Sequence, residues 1–193
     1  MDAIILDNIP FTAELEMFTE RMRLQKRPAL VKQLAALLEE AKGIARPKVM
    51  FKELPIEKKG EDLIVLDGVS FRSRDLRQTV ADLPRVFPTI ATCGHELGNW
   101  AAAYEDMMVR FFAEVICEAA MTAAQEYLAQ YVAQHHGAAA ITYILPGTLD
   151  WPITDQDKLF ALIGDTAPIG VYLTEQGTMR PIKTVSALYY ETA

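Results

Sequence analysis

Hydrophobic positions change period several times along this chain. Ala3 to Leu6 is a short apolar run stopped by Asn8 and Pro10, which predicts a strand. Leu15, Phe18 and Met22 then recur at helical spacing behind Thr12, a residue able to cap a helix. A second helix is predicted from Pro28, favourable in a first turn, through Leu30, Leu34, Leu37, Leu38 and Ala41 to Gly43, which suits a helix stop. From Pro47 the pattern becomes that of strands, at Val49 to Leu54, Leu63 to Leu66 and Val69 to Phe71. The last two flank Asp67-Gly68, a pair favoured in a tight hairpin turn. A short helix over 73–81 and a strand over 86–92 follow.

Residues 94–134 contain no proline, and their one interior glycine, Gly98, lies near the start, so the pattern predicts a single long helix. Its apolar pairs recur every four residues. Because a helix repeats every 3.6, the stripe turns by about 40° at each step and faces several directions in succession. Such a helix must be wrapped by the rest of the fold. Gly137 ends it, a strand is predicted over 139–145, Thr154 can cap a helix bearing Leu159, Phe160, Leu162 and Ile163, and strands are expected over 169–174, 177–181 and 184–190. There is no internal repeat or interdomain linker. The order implies one α+β domain over residues 1–193, with N-terminal helices and a hairpin over 1–84 and a mostly antiparallel, twisted sheet around a long central helix over 85–193.

Composition narrows the classes. A chain of 193 residues with 51% hydrophobic and 23% charged positions is long enough to bury roughly 70% of its unfolded surface without a disulfide or metal. The net charge of −7 makes nucleic acid a poor partner. Nine Lys or Arg against three acids over 20–52 form a local basic stretch, read as a solvated helix face because no aromatic residues or Gly-rich loop accompany it, whereas 89–193 hold four bases against twelve acids. No signal peptide and no membrane-spanning run is apparent, so a cytoplasmic protein without a membrane partner is expected.

Chemistry-bearing residues are few. Pro146-Gly147-Thr148-Leu149-Asp150-Trp151-Pro152 combines fixed backbone, a permissive glycine, an indole and a carboxylate between a strand and a helix start. It reads either as a ligand-binding loop or as a capped turn in which Trp151 anchors the core. Cys93, followed by Gly94 and His95 at a helix start, admits a nucleophile or redox reading beside that of a small buried residue. His135-His136 at a helix end is a weak metal candidate. Glu114 and Glu118, one turn apart, read as a solvated face. No Walker loop, dinucleotide fingerprint, HExxH or GxSxG occurs, and no catalytic residue is assigned.

Three stretches carry a resemblance. They are Tyr104-Glu-Asp-Met-Met-Val-Arg to Glu118-Ala119-Ala120; Pro146-Gly147 with Pro152; and Ile169-Gly-Val-Tyr-Leu-Thr-Glu175 followed by Met179, Pro181 and Val185-Ser186-Ala187. Together they resemble the reactivation domain of cobalamin-dependent methionine synthase, in the form of its small stand-alone relatives. The resemblance implies that S-adenosylmethionine binds near Glu118, Tyr143 and the loop Pro146, Gly147, Thr148, Leu149, Asp150 and Trp151. It also implies a corrinoid protein or cobalamin-binding module as partner, which brings the cobalamin, with methyl transfer or reactivation as the role. Tyr143 stands where the family has an arginine, Thr148 where it has a tyrosine, and Thr154 where full-length members have a histidine. The alternative is therefore a non-catalytic corrinoid-protein partner or assembly factor without S-adenosylmethionine.

Overall fold

A computed structural model describes residues 2–138 and 140–192. Strand β1 (Ile4–Leu6) is followed by helices α1 (Leu15–Arg21) and α2 (Pro28–Ile44). Strands β2 (Lys48–Phe51), β3 (Leu54–Pro55), β4 (Lys58–Lys59), β5 (Leu63–Leu66) and β6 (Val69–Arg72) lead to α3 (Arg74–Thr79) and the long strand β7 (Arg85–Thr92). Helices α4 (His95–Ala102) and α5 (Met107–His135), strand β8 (Ile141–Ile144), a 3-10 turn at Ile153–Asp155 and α6 (Gln156–Ile163) come next. A second 3-10 turn at Ala167–Ile169 precedes β9 (Tyr172–Leu173), β10 (Met179–Arg180) and β11 (Thr184–Glu191).

The main sheet runs β1-β2-β7-β11-β8 with β3 also on β7, every pairing antiparallel. The fold is α+β, as the order of elements implies. Period-2 alternation sends β11 side chains to two cores. Ala187 and Tyr189 join Val49, Phe51 and Phe87 against Ala124, Leu128 and Val132 of α5. Leu188 joins Val86 and Ile144 against Leu159 and Leu162 of α6 and the β5–β6 hairpin residues Ile64, Leu66 and Phe71. A third core packs the first half of α5, through Phe112, Ile116 and Ala120, on α1, α2 and α4. The turning stripe of α5 is thus accounted for: its first half faces helices and its second half faces the sheet.

The long helix predicted over 94–134 is two helices. Asp106 has extended backbone, and its Oδ1 accepts hydrogen bonds from the amides of Met108 and Val109, both at 2.9 Å, so the chain restarts as a capped helix instead of continuing. Other boundaries shift for local reasons. Neither Thr12 nor Thr154 caps a helix: α1 starts after Glu14, and α6 grows out of the 3-10 turn after Pro152. Gly43 lies inside α2, the strand over 49–54 divides at Lys52-Glu53, and the strand expected over 169–174 shortens to Tyr172–Leu173, with Ile169 closing a 3-10 turn. The Asp67-Gly68 turn forms as expected, with φ of 46° and 74°. Of the strand predicted over 139–145, residue 139 lies outside the described residues.

Candidate functional site

The loop after β8 closes on itself. Gly147 donates its amide to the Trp151 carbonyl (2.8 Å), Thr148 donates its amide to the Leu145 carbonyl (3.1 Å), and Trp151 donates to the Thr148 carbonyl (3.0 Å). Gly147 sits at φ 90°, a conformation that favours glycine, whereas the nearest neighbour of an added Cβ, Ile153 Cδ1 at 3.0 Å, is the movable end of an exposed side chain. Trp151 is only 1% exposed; its indole donates to Asp155 Oδ2 (3.0 Å) and its ring stands edge-on to Phe71, 6.0 Å between centroids. Of the two readings, the core anchor is the one the geometry supports.

Asp150 caps a helix distant in sequence. Its carboxylate accepts from the Ser73 hydroxyl and from the amides of Arg74 (2.8 Å) and Asp75 (3.1 Å) at the start of α3. Those bonds, the Ser73 hydroxyl foremost, hold its carboxyl below the usual aspartate value. Pro146 is buried, and the tip of the loop is what faces solvent: Gly147, Thr148, and Leu149 at 76% exposure, with Ile153 beyond it at 59%.

Glu118 is not beside this loop. It accepts from Arg21 Nη2 (2.6 Å) and lies 3.6 Å from Lys183 Nζ, joining α1 to the segment before β11. The Arg21 guanidinium, aided by Lys183 and opposed by partial burial, holds its carboxyl below the ordinary glutamate value. Tyr143 occupies a third place. It pairs across strands with Tyr189, ring centroids 5.1 Å apart. The two tyrosines, with Thr142, border a groove of about 270 Å³ whose other wall is Thr122, Gln125 and Glu126 of α5. Burial raises the Tyr189 hydroxyl above the usual tyrosine value, and the hydroxyl stands beside Gln125 without a hydrogen bond of ordinary geometry. The sequence-predicted residues thus fall into three groups: Glu118, Tyr143 with its groove, and loop 146–151. Gln125 and Glu126 were missed, although Glu118, Thr122 and Glu126 share one helix face at four-residue steps.

The remaining candidates are occupied structurally. Cys93 is fully buried and Cys117 nearly so. The neighbouring Cys93 thiol, together with burial, pushes the Cys117 thiol far above its usual value, which suits neither a nucleophile nor a redox thiol. His136 Nδ1 lies 2.5 Å from Glu53 Oε2, and His135 Nδ1 lies 2.9 Å from the Tyr131 carbonyl. Among the described residues no group of three or more His, Cys, Asp or Glu could hold a metal ion, and no helix is long and apolar enough to cross a membrane.

No family model and no curated protein matches the sequence. Among solved structures the chain is similar to the MetH reactivation domain bound to AdoHcy, with a TM-score of 0.68 over 99% of this chain and 78% of that one, at 15% identity. The chain has the fold of the methionine synthase reactivation domain. At so low an identity the likeness rests on backbone path, and the AdoHcy is that protein's ligand.

Proposed function

We propose that the protein supports methyl transfer to, or reactivation of, a corrinoid protein in the cytoplasm, binding an S-adenosyl ligand in the groove between α5 and β8. The observation that carries this is a fold shared along 99% of the chain with an AdoHcy-bound reactivation domain, combined with a groove at the sheet edge to which Gln125, Glu126 and Tyr189 bring polar groups. The residues present fit such a ligand. Glu126 offers a carboxylate for the amino group or the sulfonium charge, and the Tyr189 hydroxyl and Gln125 amide offer neutral partners at the buried end. When bound, S-adenosylmethionine would supply the methyl group. The chain's own contribution is to position the donor, exclude water and present the loop tip to the corrinoid-bearing partner, none of which needs a side-chain nucleophile.

Two observations favour a second reading, a corrinoid-protein partner without a methyl donor. Tyr143 cannot clamp a carboxylate as an arginine would, and the Gly147 and Thr148 amides are spent inside their own loop. Calorimetry with S-adenosylmethionine and S-adenosylhomocysteine separates the readings. One-site binding that weakens about tenfold in Glu126→Gln supports the first, since a charge-assisted contact is lost; silence at millimolar ligand excludes it and leaves the second. Docking is tested with the purified corrinoid protein of the host and the double variant Leu149→Asp/Ile153→Asp. The parent protein is expected to retain the corrinoid protein and the variant to release it. Equal retention by both rules out the loop tip.

A further inference from the structure

A separate cavity, lined by none of the residues of the loop or of the Tyr143 groove, collects cations in a protein of net charge −7. Residues 89–193 contain four Lys or Arg, and three of them, Arg110, Arg180 and Lys183, line this one pocket of about 300 Å³. Its floor is apolar, built from Gly98, Ala101 and Cys117. Tyr172 and Ile182, 60% and 59% exposed, stand at its lip.

The walls are set by close packing. A Cβ on Gly98 would fall 2.8 Å from Pro181 Cβ, and one on Gly170 would fall 2.8 Å from His95 Nδ1. Helix α4 therefore rests directly on the segment between β10 and β11 and on the turn before β9, and the cavity exists without any rearrangement. Two of the cations have internal partners: Arg110 lies 3.4 Å from Glu114, and Lys183 lies 3.6 Å from Glu118. Arg180 has none; among the described residues its guanidinium makes no hydrogen bond or ion pair. Glu114 is the one carboxylate in the lining, so the wall carries more positive than negative charge around an apolar floor.

We infer that this pocket binds a small amphipathic anion, an aromatic or aliphatic body carrying one carboxylate or phosphate, with the anionic group held by Arg180 and the body resting on the α4 and α5 floor between Tyr172 and Ile182. A guanidinium presents two parallel N–H donors matched to either oxyanion, and a volume near 300 Å³ is at the small end for ligand sites. The site is separate from the groove beside Tyr143, so its fate and that of the corrinoid reading are independent.

The experiment is a ¹H–¹⁵N titration of the whole chain with phenyl phosphate, with benzoate and with neutral benzyl alcohol. The expected result is saturable movement of the Gly98, Gly170, Ile182 and Lys183 amides with one or both anions, little movement with benzyl alcohol, and affinity about tenfold weaker in Arg180→Gln. Preference for one anion then assigns phosphate or carboxylate as the natural group. An indole introduced at the exposed rim by Ala102→Trp is expected to abolish the response. Equal shifts from benzyl alcohol, unchanged affinity in Arg180→Gln with a dispersed spectrum, or no response to either anion would each overturn the inference.

Discussion

A carboxylate takes its role from the donors that reach it. Asp150 lies in the loop where a ligand contact was expected, yet three donors from Ser73, Arg74 and Asp75 claim it, and the sequence separation of 77 residues from Ser73 leaves no trace in the local pattern. What could be read was Ser73 as the start of a helix; what could not was that a second cap arrives from the other end of the chain. Trp151 shows the same limit, since an indole beside two prolines fits an anchor or a ligand wall equally, and only burial against Phe71 decides. Truncating it tests the assignment. Trp151→Ala is expected to cost about 3–5 kcal/mol in urea unfolding, as for large buried aromatics. Leu149→Ala, two residues earlier but 76% exposed, is expected to cost less than about 0.5 kcal/mol. Similar losses for the two would mean that the loop is not anchored as described.

Elements were legible where period and punctuation agreed. The hairpin around Asp67-Gly68, helix α2 and strand β7 follow from their patterns, because burial on one face or both is written directly into residue spacing. The division between α4 and α5 was hidden because neither proline nor glycine marks it; a single aspartate does so through its side chain. Asp106→Ala is expected to lower stability by about 1 kcal/mol by thermal or urea unfolding; no change would show that the restart at 107 is held by packing alone. Glycines sort by the same logic. Gly94, at φ 90°, would place a Cβ 2.3 Å from the Arg46 carbonyl oxygen, so Gly94→Ala is expected to cost more than about 2 kcal/mol or to abolish folding. Gly43, read as a stop, is inside α2 with nothing within 4 Å of an added Cβ. Gly43→Ala is therefore expected to stabilise by up to about 1 kcal/mol, and a destabilised variant would place the end of α2 at residue 43 after all.

Across the whole molecule, three depressed carboxylates tie together segments far apart in the chain. Glu118 joins α5 to α1 and to the segment before β11, and Asp150 joins the loop after β8 to α3. Glu53 joins the link between β2 and β3 to Arg85 (2.6 Å) and His136 (2.5 Å); burial alone would raise its carboxyl, and these two partners bring it below the usual value. Each carboxyl titrates lower when folded than when unfolded, so its contribution is complete above the unfolded value near pH 4–5 and is lost as pH falls through the folded one. At the alkaline side the signs reverse. Cys117, raised by the neighbouring Cys93 thiol and by burial, keeps a proton in the folded state that the unfolded chain releases above about pH 8–9, so stability declines there too. Urea midpoints measured from pH 3 to 10 should therefore form a plateau between about pH 5 and 8 with a fall on each side. In Glu53→Gln/Glu118→Gln the plateau should drop by about 1–3 kcal/mol, because the Glu118 bridge is largely solvated while that of Glu53 is better shielded. The acid limb should flatten as well, since two of the three titrating links are gone, and an acid limb as steep as the parent's would place the pH sensitivity in other groups.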